Sequence, residues 1–84
     1  MNFTHILWDL EDEEGGNVQH IAEHDLTQEE VEDVLLHPEK TGVSKSTGNP
    51  AAWGETVTGR WIIVVYELLD EDTARPISAY EVER

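Results

Sequence analysis

The 84-residue chain predicts a single α+β domain over residues 1–84. The order is β-α-α-β-β-β-β, with two N-terminal helices packed on a mainly antiparallel, twisted sheet. Three observations carry this expectation. Thr27 and Glu30 have the spacing of a capping box, which starts a helix. The run Trp61 to Tyr66, WIIVVY, is apolar on both faces of a strand and so reads as central and covered on both sides. Size supplies the third, because a chain this short buries only about 60 to 65% of its unfolded surface. Its core closes without an internal cofactor cavity, and any site is a surface groove.

Each element has its own signal. Phe3 to Trp8 reads as a short opening strand, followed by a solvated acidic loop from Glu11 to Glu14 and the breakers Gly15 and Gly16. Asp9, Glu11 and Glu13 have the spacing of the first calcium-loop ligands. Glu14 stands where that loop needs Gly, however, and His20 where it needs a bidentate Glu, so an EF-hand is excluded. From Asn17 the pattern turns helical, with Val18, Ile21 and Ala22 on one side, and ends near Asp25. The second helix starts at Thr27, stapled by Leu26 and Val31, with the apolar stripe Val31, Val34 and Leu35 and a stop at Pro38. Thr41 to Thr47 is a weak strand, Gly48-Asn49-Pro50 a turn, and Ala51 to Thr58 a further strand. Thr58-Gly59 permits a tight reversal into Arg60 to Leu69. Asp70-Glu71-Asp72 turns the chain into Ala74 to Val82, where Pro76 argues for an edge position or a strand start.

Charge and composition exclude several functions. Asp and Glu number 19 against 5 Lys and Arg, a formal net charge of -14. Residues 1–39 hold 12 of the acids and no cation, whereas Lys40, Lys45, Arg60, Arg75 and Arg84 all lie beyond them. Nucleic-acid affinity comes mostly from Lys and Arg at phosphates, so RNA or DNA binding is disfavoured; the acidity reads first as solubility and self-repulsion, with a basic protein partner as its functional reading. Zero Cys removes disulfides, iron–sulfur clusters and thiol catalysis, and fits a reducing, cytoplasmic setting. No apolar run reaches membrane-spanning length, and the start MNFTHILWDL lacks the features of a signal peptide.

Three constellations carry chemistry. His20-Ile21-Ala22-Glu23-His24 has the H-x-x-E-H form that puts two imidazoles one helical turn apart. A catalytic zinc needs a third protein ligand, and none is apparent, so solvated histidines are the stronger reading and no metal or cofactor is implied. Arg60, Arg75 and Tyr80 lie on or beside neighbouring strands of the C-terminal sheet and together would clamp a phosphate. The competing expectation is that both arginines pair with acids such as Glu55, Glu67 or Glu81 and that Tyr80 is a half-buried sheet aromatic. Trp53 and Trp61 are candidates for stacking on bases, with core packing as their structural alternative.

The order of these parts resembles the BrnT-type toxins of bacterial type II toxin–antitoxin systems. The likeness rests on Trp8-Asp9, on Ile21-Ala22-Glu23-His24-Asp25-Leu26-Thr27, on Gly59-Arg60 before an apolar strand, and on Arg75-Pro76-Ile77-Ser78-Ala79. It implies a RelE-like fold, metal-independent RNA cleavage and a neutralising, DNA-binding antitoxin. His24, Arg60 and Arg75 are the matching catalytic positions, with Tyr80 in support. The chain departs where the family reads K-H-G and it has Glu23-His24-Asp25, and where the family reads S-A-R and it has Ser78-Ala79-Tyr80. A toxin-like domain acting as a non-catalytic protein-interaction module is therefore the leading expectation, and a metal-independent ribonuclease is the alternative.

Overall fold

The computed structural model describes residues 5–10 and 12–83. Phe3 and Thr4 of the expected opening strand, Glu11 of the acidic loop, and Arg84 lie outside them. Two helices and five strands follow in the expected order: β1 (His5–Ile6), α1 (Asn17–Ala22), α2 (Gln28–Leu36), β2 (Lys40–Val43), β3 (Pro50–Glu55), β4 (Trp61–Leu68) and β5 (Thr73–Glu81). The sheet runs β1-β5-β4-β3-β2. β1 lies parallel to β5, and the other pairs are antiparallel.

The capping box forms as its sequence dictates. The Glu30 amide donates to Thr27 Oγ1 at 3.2 Å, and the Thr27 amide donates to Glu30 Oε1 at 3.1 Å. The stripe of α2 then buries Val31, Val34 and Leu35, each at 1% exposure or less, against Ile62, Val64 and Ala52 of the sheet. Leu26 and Val31 join the same cluster, as the staple requires. At β3 the helix comes so close that a Cβ on Gly54 would lie 3.3 Å from Val34 Cγ1.

Both faces of β4 are buried, but they are covered differently. Ile62, Val64 and Tyr66 lie under the helical layer with Ile21, Leu26, Ala74 and Ala79. Ile63 and Val65 turn to the other face, where neighbouring strand side chains, Ala51, Trp53 and Val82 among them, shield them. The expected cover on both sides is thus a second layer on one face and adjacent side chains on the other. An apolar run reports burial and does not say what does the burying.

β5 as a whole lies between β1 and β4, but at Pro76 it has only β4 as a described neighbouring strand, the edge position that a proline argues for. Among the described residues, β1 pairs with Thr73 and Ala74. Beyond them the flank of β5 is met by α1, whose Asn17 Nδ2 donates to the Pro76 carbonyl at 3.0 Å. The β4–β5 register also shifts between Val65 and Tyr66, opposite Pro76. A residue without an amide is tolerated inside a sheet at such an irregularity.

Turns shorten the expected strands. β2 stops at Val43 because residues 44–49 fold back, with Ser44 N–H on the Asn49 carbonyl and Gly48 N–H on the Ser44 carbonyl, both at 2.8 Å. β3 stops at Glu55 because Thr56 organises the next reversal. Its amide donates to the Arg60 carbonyl at 2.8 Å, and its hydroxyl accepts from the Arg60 amide at 3.0 Å. In the last turn Asp70 accepts the Asp72 amide at 2.8 Å, a bond that holds its carboxyl below the usual range.

Candidate functional site

The four residues singled out from sequence fall at two places. His24, Arg60 and Tyr80 meet where α1 ends. Hydrogen bonds from Asp25 N to Ala22 O and from Leu26 N to Ile21 O close α1 in a Schellman turn. Asp25 takes the left-handed position of that turn, with φ 64°, where glycine is the usual residue. A residue with a Cβ costs backbone strain at this point. Asp25→Gly is expected to stabilise the fold by about 0.5 to 1 kcal/mol. Urea unfolding measures this, and a loss of stability would contradict it.

Arg60 holds the end of the same turn. Its Nη1 donates to the Asp25 carbonyl at 2.6 Å and its Nη2 to the His24 carbonyl at 3.3 Å. A cation is favoured there because the last carbonyls of a helix point outward unpaired. Its Nε meets Glu81 at 3.2 Å, and Nη1 lies 3.9 Å from Glu30. Burial pushes the Glu30 carboxyl up, but hydrogen bonds from Thr58 and Thr27, with the charge of Arg60, bring it below the ordinary carboxylate range. The Thr58 hydroxyl is 2.8 Å from Glu30 Oε2. Beside this network the rings of His20, His24 and Tyr80 run in series, with centroids 5.7 Å and 5.9 Å apart. Among the described residues no group of three or more His, Cys, Asp or Glu converges on a metal position.

Arg75 lies elsewhere, five residues back along β5 from Tyr80, a separation on the order of 15 Å. The expected Arg60–Arg75 clamp is therefore not assembled. Arg75 Nη2 donates to Asp9 Oδ2 at 2.8 Å, and Nη1 lies 3.6 Å from Glu67. Asp9 in turn exchanges two 2.8 Å bonds with Asn17, whose Nδ2 also reaches the Leu7 and Pro76 carbonyls at 3.0 Å. This knot ties the segment after β1, the start of α1 and the middle of β5 together. Each arginine thus faces two carboxylates, as the competing expectation held. Glu67 and Glu81 are the anticipated partners; Asp9 and Glu30 are supplied by the fold.

Two surfaces of opposite character remain. The helical layer and the loop leading into it carry Asp12, Glu13, Glu14, Glu23, Asp25 and Glu29, all exposed, with no Lys or Arg in residues 12–39. The opposite face holds a groove of about 500 Å³ at the β2 end of the sheet, lined by Lys40, Lys45, Ser44, Ser46, Trp53 and Tyr80 among others, and by no acid among the described residues. Both lysines of the chain meet there. Lys40 Nζ lies 4.9 Å from the centre of the Trp53 ring, which also packs over Gly42, where a Cβ would come within 3.2 Å. The groove was not legible in the sequence, because only the β2–β3 register sets Lys40 opposite Trp53.

No protein-family model, curated protein or solved structure matches this chain.

Proposed function

We propose that this chain is a non-catalytic protein-interaction module of BrnT- or RelE-like architecture, acting in the bacterial cytoplasm, whose acidic helical layer binds a basic, antitoxin-like protein partner. The observation that carries this reading is the engagement of Arg60 and Arg75 by carboxylates at separate places on the sheet. Neither guanidinium is left to a phosphate, and a net charge of -14 repels RNA at long range. The acidic layer offers a basic partner an uninterrupted field. Among the described residues no helix is long and apolar enough to cross a membrane.

Titration with a lysine-rich peptide tests the reading. Affinity should fall steeply between about 50 and about 300 mM salt, because exposed charges are screened within roughly 10 Å or less. Replacing Glu14, Glu23 and Glu29 by their amides should weaken binding at low salt. Salt-independent binding, or binding unchanged by the amides, would refute the assignment of this surface.

The second reading, a metal-independent ribonuclease toxin, draws on the gathering of His24, Tyr80 and Arg60 in one corner. Its imidazole and phenol are the groups an acid–base cleavage would use. End-labelled RNA incubated at low salt with EDTA should stay intact on the first reading. Cleavage that survives EDTA and is lost in Tyr80→Phe, a substitution at a partly exposed ring that leaves the fold in place, would establish the second.

A further inference from the structure

The outer edge of β2 is flanked by two recesses of different chemistry, one on each face of the sheet. The hydrogen bond from Ser44 N to Asn49 O continues the β2–β3 register and fixes which residues of β2 bond to β3. By the two-residue alternation of an antiparallel ladder, Lys40 and Gly42 turn their backbone groups toward β3. Thr41 and Val43 therefore turn their N–H and C=O groups outward. All four residues of β2 are exposed, Val43 at 61%.

Side chains alternate in the same way. On the face of the helical layer, Thr41 and Val43 border a recess of about 260 Å³ floored by Leu35, Pro38, Ala52 and Tyr66. On the opposite face, Lys40 and Lys45 border the carboxylate-free groove with Trp53. A strand laid along this edge sends successive side chains into one recess and then the other.

We infer that the outer edge of β2 docks an extended partner segment whose residues alternate between apolar and acidic, adding it to the sheet as a further strand. The apolar residues enter the Leu35–Tyr66 recess, and the acidic residues meet Lys40 and Lys45. Backbone bonds to Thr41 and Val43 supply the pairing, and the two recesses supply selectivity. A second copy of this chain does not fit, since joining two sheets across β2 brings the lysines of both copies onto one face. Lysines at a sheet edge discourage such self-pairing, and the same charges select an acidic strand. This surface is distinct from the acidic layer assigned to a basic partner, so the failure of one assignment leaves the other standing.

The probe is a short, capped peptide of alternating valine and glutamate, compared with its valine–lysine counterpart by calorimetry and backbone amide NMR. The expected result is binding of the acidic peptide alone, with shifts centred on Thr41 and Val43. Lys40→Glu combined with Lys45→Glu should lower that affinity roughly tenfold, the sum of two exposed charge pairs, and admit the lysine peptide. Thr41→Pro removes an outward amide that β3 does not use, and should abolish binding while the thermal transition is kept. No binding of the acidic peptide, equal binding of both peptides, shifts centred on the helical layer, or a free chain that sediments as a β2-joined dimer would each overturn the inference.

Discussion

Asn17→Ala is expected to be among the most destabilising single substitutions in this protein. Asn17 is 3% exposed and uses its side chain in three hydrogen bonds, to the Asp9 amide and to the Leu7 and Pro76 carbonyls. Alanine leaves all three buried or half-buried groups unpaired. At about 1 to 3 kcal/mol for each group left unsatisfied, partly relieved by water at the two outer positions, the loss is on the order of 3 to 5 kcal/mol. A domain of this size has about 4 to 12 kcal/mol in all, so the variant should melt more than ~12 °C lower. Chemical and thermal unfolding measure this directly. A loss below ~1 kcal/mol would show that the knot contributes nothing to stability.

Glu30→Ala is the second large effect. The carboxylate closes the capping box of α2, accepts the Thr58 hydroxyl and faces Arg60 from a nearly buried position. Removing it strips the cap and leaves Thr58 and Arg60 without this acceptor, at about 2 to 4 kcal/mol. Glu30→Gln keeps the side-chain oxygen and should lose less. The pH dependence has a definite sign. Because the folded carboxyl titrates below its unfolded counterpart, the stability it contributes is complete above the ordinary glutamate value of about 4.3. It is lost as the pH falls through the lowered folded value. The acid limb of the stability curve should be shallower in Glu30→Gln than in the parent chain, and parallel limbs would remove Glu30 as its cause.

The contrast between these residues shows what was legible in the sequence. Thr27 and Glu30 are three positions apart, so their bond could be read from spacing alone, and with it the start of α2. The element order followed from similar local signals. Strand ends did not, because Thr56 belongs to a turn through bonds that its β-branched side chain does not announce. Asn17 gave no signal beyond opening a helix. Its partners, Leu7, Asp9 and Pro76, come together only after β5 has docked beside α1. The sequence places Arg60 and Arg75 on or beside strands of the C-terminal sheet. What they hold was hidden by separations of 35 residues to Asp25 and 66 to Asp9.

The parallel pairing of β1 with β5 has a consequence for how the molecule is made. Ile6 and Trp8 pack onto a core whose neighbouring strand, β5, follows every other described element along the chain. At about 5 to 20 residues per second, a ribosome needs on the order of 3 to 13 s to travel from Asp9 to Arg75. Throughout that interval the nascent N-terminal segment lacks the strand it pairs with. Completion of this parallel pair therefore waits for β5 to be made.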